Sequence, residues 1–241
     1  MKSSSHTICT PAAPAAVPAQ ADAPAASWGC LLGSSLRAAV LMMLVAGIAY
    51  PLFTTGVAQA LLPQAAHGSL IERNGQVVGS ALIGQQFTGS QYFHGRPSAT
   101  TAPDPHNEGA SIAAPYNAGL SGASNQGVTH KDLADTVAQR VAQYRADNGL
   151  TADTPVPVDA VTASASGLDP HISVANALLQ LPRVAQARQL GQAQVQTLVD
   201  QATQQRVLGL LGEPRVNVLQ LNLALDQAQS SVQKTVVTPK E

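Results

Sequence analysis

Residues 39–62 read AVLMMLVAGIAYPLFTTGVAQALL, and from Ala38 to Leu70 there is no Asp, Glu, Lys or Arg. A run this long and this apolar crosses a hydrocarbon core of about 30 Å as one helix. Pro51 removes a backbone hydrogen bond and predicts a kink, which a spanning helix tolerates where neighbours, or Thr54 and Thr55, satisfy the backbone. The competing reading is a cleaved signal peptide, with Arg37 as its charged region, Ala38 to Phe53 as its apolar region and Ala58-Gln59-Ala60 as a small-x-small cleavage site. Lys2 and Arg37 precede the run, whereas Arg73 beyond it is accompanied by Glu72. This asymmetry predicts a cytoplasmic N-terminus and an extracytoplasmic bulk.

On the N-terminal side, residues 11–26 (PAAPAAVPAQADAPAA) are almost wholly Ala and Pro, which neither hold a regular helix nor bury a core. Residues 1–35 are therefore expected to form a disordered tail ahead of a transmembrane helix over 36–62. On the other side, Asn74-Gly75 stands between two short apolar runs and predicts a β-hairpin, since both residues tolerate positive φ. From Gln85 to Thr129 the chain is dense in Gly, Ser, Asn, Pro and Thr without periodicity, and must be a long irregular segment held by contacts elsewhere.

Thr129, with Asp132 after it, is placed to cap a helix whose apolar positions Leu133, Val137, Val141 and Tyr144 run until Asn148-Gly149. Ser173 starts a second helix, which Pro182 is expected to break or restart, and Val195, Leu198, Val199 and Ala202 mark a third. VNVLQLNLAL (216–225) has the apolar and β-branched content of a buried strand. The expected fold class is α/β of the α+β type: one N-terminal transmembrane helix, then a single mixed helix and small-sheet extracytoplasmic domain over 68–226, with a flexible tail at 227–241.

With 241 residues the chain suffices for one domain plus extensions and is too short for a complete ion pump. A net charge of -1 with 11% charged residues leaves no footprint for nucleic acid. Cys9 and Cys30 both precede the folded region and form neither a disulfide framework nor a CxxC site. Ser164, Ser166, Asp169 and His171 invite a hydrolase reading, but no G-x-S-x-G elbow accompanies them, and a turn that launches the next helix explains them as well. The tripeptides Asp104-Pro105-His106 and Asp169-Pro170-His171 lack the companions of a metal site. Neither a phosphate loop nor the aspartyl-phosphate loop of an ion pump occurs. No catalytic or metal-binding residue is therefore assigned. Tyr92, Phe93 and Arg96 form the densest aromatic and cationic cluster of an aromatic-poor chain, a composition found both at protein interfaces and capping cores.

Several blocks together carry a family resemblance. They are Gly79 to Gly89 (GSALIGQQFTG), Tyr92 to Thr100 (YFHGRPSAT), Tyr116-Asn117 with Ser121-Gly122 and Ser124-Asn125, Val156 to Ser173 (VPVDAVTASASGLDPHIS), Gln180 with PRVAQA (182–187), and LGEPRVNVLQLNLAL (211–225). In this order the chain resembles the C subunit of the Kdp potassium-transporting ATPase, from about Leu36 to Leu225. Val128 and His130 depart from the family pattern, and the Ala/Pro tail is extra.

The resemblance implies a single-pass, non-catalytic accessory subunit of a bacterial inner-membrane complex for ATP-driven potassium uptake. Its implied partners are a potassium-translocating channel-like subunit, a P-type ATPase subunit, a small single-span subunit and the surrounding membrane lipid. It also implies a catalytic chaperone that raises the ATP affinity of the ATPase subunit, and it favours a retained anchor. The alternative is a soluble periplasmic ligand-binding or hydrolase domain released by a signal peptidase. The resemblance points to Tyr92, Phe93, Arg96, Tyr116, Asn117 and Asn125 as partner-interface candidates. It points to Ser164, Ser166, Gly167, Asp169 and Gln180 as candidates for contact with ATP, the one cofactor it suggests, shared with the ATPase subunit.

Overall fold

The computed structural model describes residues 27–237, with side chains to 230. The Ala/Pro-rich stretch and Cys9 lie outside the described residues. Contacts divide the chain into two compact units at Val57/Ala58, taken separately below.

The apolar run forms helix α1 (Trp28–Leu44), a π turn (Val45–Ala49) and helix α2 (Tyr50–Leu61). Together they make one rod of 34 residues, which among the described residues is the one helix long and apolar enough to cross a membrane. At 1.5 Å per residue it is about 51 Å long, well beyond the hydrocarbon thickness. It begins eight residues ahead of the expected boundary, so residues 28–35 of the expected tail are helical. Ser27 caps the start, its Oγ accepting from the Cys30 N–H at 3.4 Å. The irregularity expected at Pro51 appears as the π turn one step before it, where the Tyr50 N–H reaches back to the Val45 carbonyl. A proline ring crowds the carbonyl four residues earlier and offers it no donor, and widening the preceding turn relieves both. Thr54 Oγ1 donates to the carbonyls of Tyr50 and Pro51 at 3.0 and 3.1 Å, bracing this turn.

After a single helical turn, α3 (Pro63–Ala66), come β1 (Leu70–Arg73) and β2 (Gln76–Ser80) of the second unit. They pair antiparallel around Asn74 and Gly75, at φ 53° and 76°, the turn that the sequence predicts. The long irregular segment contains one short hairpin, β3 (Thr101–Pro103) and β4 (Ser111–Ala113). Helix α4 (Lys131–Asp147) follows, with His130 rather than Thr129 at its N-cap and no side-chain bond there.

Then come α5 (Val158–Val161), β5 (His171–Ser173), α6 (Val174–Arg188), α7 (Gln192–Ala202), β6 (Thr203–Gln204), β7 (Arg215–Asn217) and α8 (Val218–Val237). The last three strands form an antiparallel sheet ordered β5-β7-β6. Ser173 caps α6, accepting from the Asn176 N–H at 3.1 Å.

Three expectations are corrected. Pro182 does not break α6. Both it and Leu178, whose carbonyl loses its donor, are solvent-exposed, so the missing bond lies on the side of the helix open to water rather than in the core. The stretch 216–225 is not one strand: β7 ends at Asn217, whose Oδ1 accepts from the Gln220 N–H at 3.0 Å and starts α8. Val218, Leu221 and Leu225 then repeat at helical spacing into the core, a period that total apolar content hides. Finally, α8 continues to Val237, so most of the expected C-terminal tail is helical; residues 238–241 lie outside the described residues.

The core gathers Ile172 of β5, Ala177, Leu181 and Val184 of α6, Val195 and Val199 of α7, Val216 of β7, and Leu221 and Leu225 of α8 around Phe93. Two buried amides tie the irregular segment to it. Asn222 Oδ1 accepts from the Phe93 N–H at 2.9 Å and its Nδ2 donates to the Phe93 carbonyl at 2.9 Å. Gln180 does the same for His94, at 2.7 and 3.1 Å. Replacing Asn222 with Ala leaves a buried donor and a buried acceptor without partners, at about 1–3 kcal/mol each. The Asn222→Ala chain is expected to lose about 3 kcal/mol in urea unfolding followed by circular dichroism, and a loss under about 1 kcal/mol would refute the clamp.

Candidate functional site

A cleft of ≈ 440 Å³ opens in the mixed domain. Loop 85–88 and segment 94–98 form two walls, Pro115 and Tyr116 close one end, and α4 and α6 supply Arg140, Tyr144, Asn176 and Gln180. The segment 94–98 is placed by the Gln180 clamp, and α4 is fixed by Tyr144, whose hydroxyl donates to Asn176 Oδ1 at 2.8 Å. Asn176 in turn accepts from Gln180 Nε2 at 2.8 Å and donates to Asp159 Oδ2 at 3.0 Å. A continuous side-chain network therefore runs from α5 through α6 to the cleft, and such networks hold only when every member is satisfied.

The structure brings the two groups of candidates together. Arg96 Nη1 donates to Asp169 Oδ2 at 3.2 Å and its Nη2 to the Ala163 carbonyl at 3.4 Å, while its Nε is buried without a partner. Ser98 Oγ donates to the Gly167 carbonyl at 2.7 Å, and the Ser166 carbonyl accepts from the Gly122 N–H at 3.0 Å. Segment 164–169 thus stitches the irregular loops into one body. Gly167 stands at φ 67°, where a Cβ would lie 2.7 Å from the Gly122 carbonyl oxygen, so only glycine fits without strain. Ser166 Oγ accepts from the Leu168 N–H and Asp169 Oδ1 from the His171 N–H, as expected of a turn that leads into the next helix. Asp104 Oδ1 accepts from the His106 N–H in the same manner, so the repeated tripeptide records one local turn chemistry used twice. Ser164 is buried.

Tyr116 takes φ 60°, which for a bulky side chain is strained. Its hydroxyl donates to the Arg96 carbonyl at 2.6 Å, and its ring packs over Gly84 and Gly95. Burial, then the Asp169 charge, push its phenol up to about 12. Asn117 spans a tight turn, donating to the Thr101 carbonyl at 2.8 Å and accepting from the Gly119 N–H at 3.0 Å. Asn125 is exposed at φ 54°. Tyr92 lies beneath the Arg188 guanidinium, 4.9 Å from its ring centroid, and against Phe87. Phe93 requires a correction: its ring is 0% exposed in the core, so it supports the interface candidates rather than facing a partner.

Sequence reasoning passed over Arg140, Tyr144, Asn176 and His94. Tyr144 belongs to the apolar stripe of α4, and Arg140 sits one turn before it on the same face, which was the available signal. Arg140 donates to the Val161 carbonyl at 3.0 Å. His94 Nε2 is 3.1 Å from the Gly89 carbonyl, which fixes the proton on that nitrogen in the neutral ring. Burial, then the Arg183 charge, hold its pKa low against the Gly89 bond and Asp147.

Burial alone would raise Asp169, but its bonds from His171 and the Arg96 guanidinium outweigh that and hold its carboxyl below the ordinary 3.8. A depressed carboxyl contributes stability that is whole above 3.8 and is lost as pH falls through the folded-state value. Asp169→Asn is therefore expected to be less stable than the wild type at neutral pH, with the gap closing as pH drops below 3.8. Denaturant midpoints across that range measure it, and a pH-independent gap refutes it.

Comparison with known proteins gives concordant matches. Residues 32–227 match the family model described as K+-transporting ATPase, c chain. A potassium-transporting ATPase KdpC subunit of Rhodopseudomonas palustris is 55% identical over 197 residues, covering 80% of this chain and 96% of that one. KdpC subunits of Bradyrhizobium diazoefficiens and Methylobacterium nodulans are 55% and 56% identical, over 80% and 81% of this chain and 96% of each of theirs.

Proposed function

The chain belongs to the KdpC family, the c chains of K+-transporting ATPases, and from that premise we propose that it is a non-catalytic accessory subunit that steadies the transport complex and, as a catalytic chaperone, raises the ATP affinity of the P-type ATPase subunit. The observation that carries this reading is that the family match runs through both the apolar helix and the mixed domain, so both parts belong to what the family shares. The helix is embedded in lipid with its N-terminus in the cytoplasm of a bacterial inner membrane, and the domain lies outside, as the placement of Lys2, Arg37 and the Glu72–Arg73 pair favours. There the domain meets the potassium-translocating subunit through the loops bearing Tyr92, Arg96, Tyr116, Asn117 and Asn125. The small single-span subunit and the ATPase subunit pack within the membrane.

A domain on that side cannot touch a nucleotide held in the cytoplasm. Coupling to ATP therefore runs through the membrane helices, as a shift in the population of the pump's conformations. A second reading has ATP contact Ser164, Ser166, Gly167, Asp169 and Gln180 directly. In its favour, Gln180 shares the wall of the ≈ 440 Å³ cleft with Arg96 and Arg140. Against it, each amide atom of Gln180 is already bonded within the protein and the residue is 1% exposed.

Topology discriminates between the two. Val128 is 95% exposed on the domain. With Cys9 and Cys30 replaced by Ser, a Val128→Cys chain is expected to react with a membrane-impermeant maleimide in intact spheroplasts. Reaction only after the inner membrane is broken would sink the extracytoplasmic placement and favour direct nucleotide contact.

A further inference from the structure

Away from the cleft, the loop between β6 and β7 reads RVLGLLGE over residues 206–213. It is closed on itself: the Val207 N–H donates to the Leu211 carbonyl at 2.9 Å, and the Leu211 N–H to the Val207 carbonyl at 3.0 Å. Arg206 and Glu213 form an ion pair at its stem. Leu208 and Gly209 make the tip at φ 54° and 72°. Glycine adopts that region freely, whereas leucine does so only under strain. This ordered turn leaves Val207, Leu208, Leu210 and Leu211 exposed by 59%, 88%, 82% and 65%. A strained turn that holds four aliphatic side chains in water marks an interaction site.

We propose that this loop is a docking knob that inserts into an apolar pocket on a partner subunit of the same transport complex, an inference that rests on the accessory-subunit reading. A second copy of the chain is a poor occupant. The four side chains offer on the order of 400 Å² of apolar surface, about half of the roughly 800 Å² that each side of a self-standing interface contributes. Such a knob suits an assembly in which a membrane helix supplies further contact. Lipid is a poor occupant too. Surfaces that enter the bilayer interface pair Leu or aromatic side chains with unpaired Lys or Arg that meet the headgroups. This loop has no aromatic residue, its one cation is engaged by Glu213, and that glutamate's side chain is 79% exposed. A protein pocket asks for neither: the aliphatic tip fills it and the ion pair becomes part of a polar rim.

The test uses the full chain co-expressed with the other subunits. A Leu208→Asp, Leu210→Asp chain is expected to be recovered with the complex at least tenfold less than the wild type, while the purified variant keeps the wild-type circular dichroism and urea midpoint. Recovery equal to the wild type overturns the proposal and leaves the accessory-subunit reading intact; a wild-type chain that does not assemble at all overturns both. The occupant is read with Leu208→Trp, after Trp28→Phe. Its emission is expected to shift to shorter wavelength only when the other subunits are present. A shift with quenching by brominated lipid in vesicles of the chain alone overturns the proposal in favour of lipid, and a concentration-dependent shift of the chain alone in detergent overturns it in favour of a second copy.

Discussion

Two amide side chains, Asn222 of α8 and Gln180 of α6, each close both backbone bonds of one residue in an otherwise irregular segment, at Phe93 and His94. A long loop has few backbone partners of its own, and here the hairpin β3–β4 supplies only three pairs of residues. Buried N–H and C=O groups left without partners would cost more than the domain's margin of stability allows. The amides act as substitutes for a neighbouring strand, and because they come from helices packed in the core, they fix the loop to that core. The Phe93 side chain enters the core at the same point, so hydrophobic burial and backbone satisfaction reinforce each other.

The cleft follows from this arrangement. With segment 94–98 tied to α6, Arg96 reaches Asp169, Tyr116 folds over Gly84 and Gly95, and segment 164–169 closes against loops from three places in the chain. Residues that look like chemistry in the sequence are here the joints of a scaffold: hydroxyls, a carboxylate and a left-handed glycine that satisfy backbone groups. That suits the accessory role proposed above, because a rigid surface transmits a partner's preference for one state more faithfully than a loose one.

The apolar helix obeys a different constraint. In lipid its backbone must be satisfied internally, which explains how the chain accommodates Pro51. The π turn at Val45–Ala49 and the Thr54 hydroxyl keep the helix continuous across the proline. Among the described residues, none of its side chains is buried.

Much of this was legible in the residues. The Asn74-Gly75 hairpin, α4, the start of α6 at Ser173, α7 and the apolar helix all follow from short-range rules, in which a few neighbouring residues determine backbone conformation through sterics, capping and periodicity. What misled was also local: Pro182 looks like a break until its exposure is known, and 216–225 looks like a strand until Asn217 is seen to cap a helix. The site was less legible. The sequence pointed to Arg96, Tyr116, Asp169 and Gln180 separately, but their meeting and the burial of Phe93 depend on bonds between residues some 70 to 130 positions apart, and the place of Arg140 on the cleft wall on bonds that span 21 and 32 positions. The sequence by itself determined which elements form and that a membrane-length helix precedes a mixed domain. Only the tertiary structure decided which polar side chains are committed to the scaffold and which apolar ones, as at Leu208, remain open to a partner, because burial is a property of the packed whole and no local pattern encodes it.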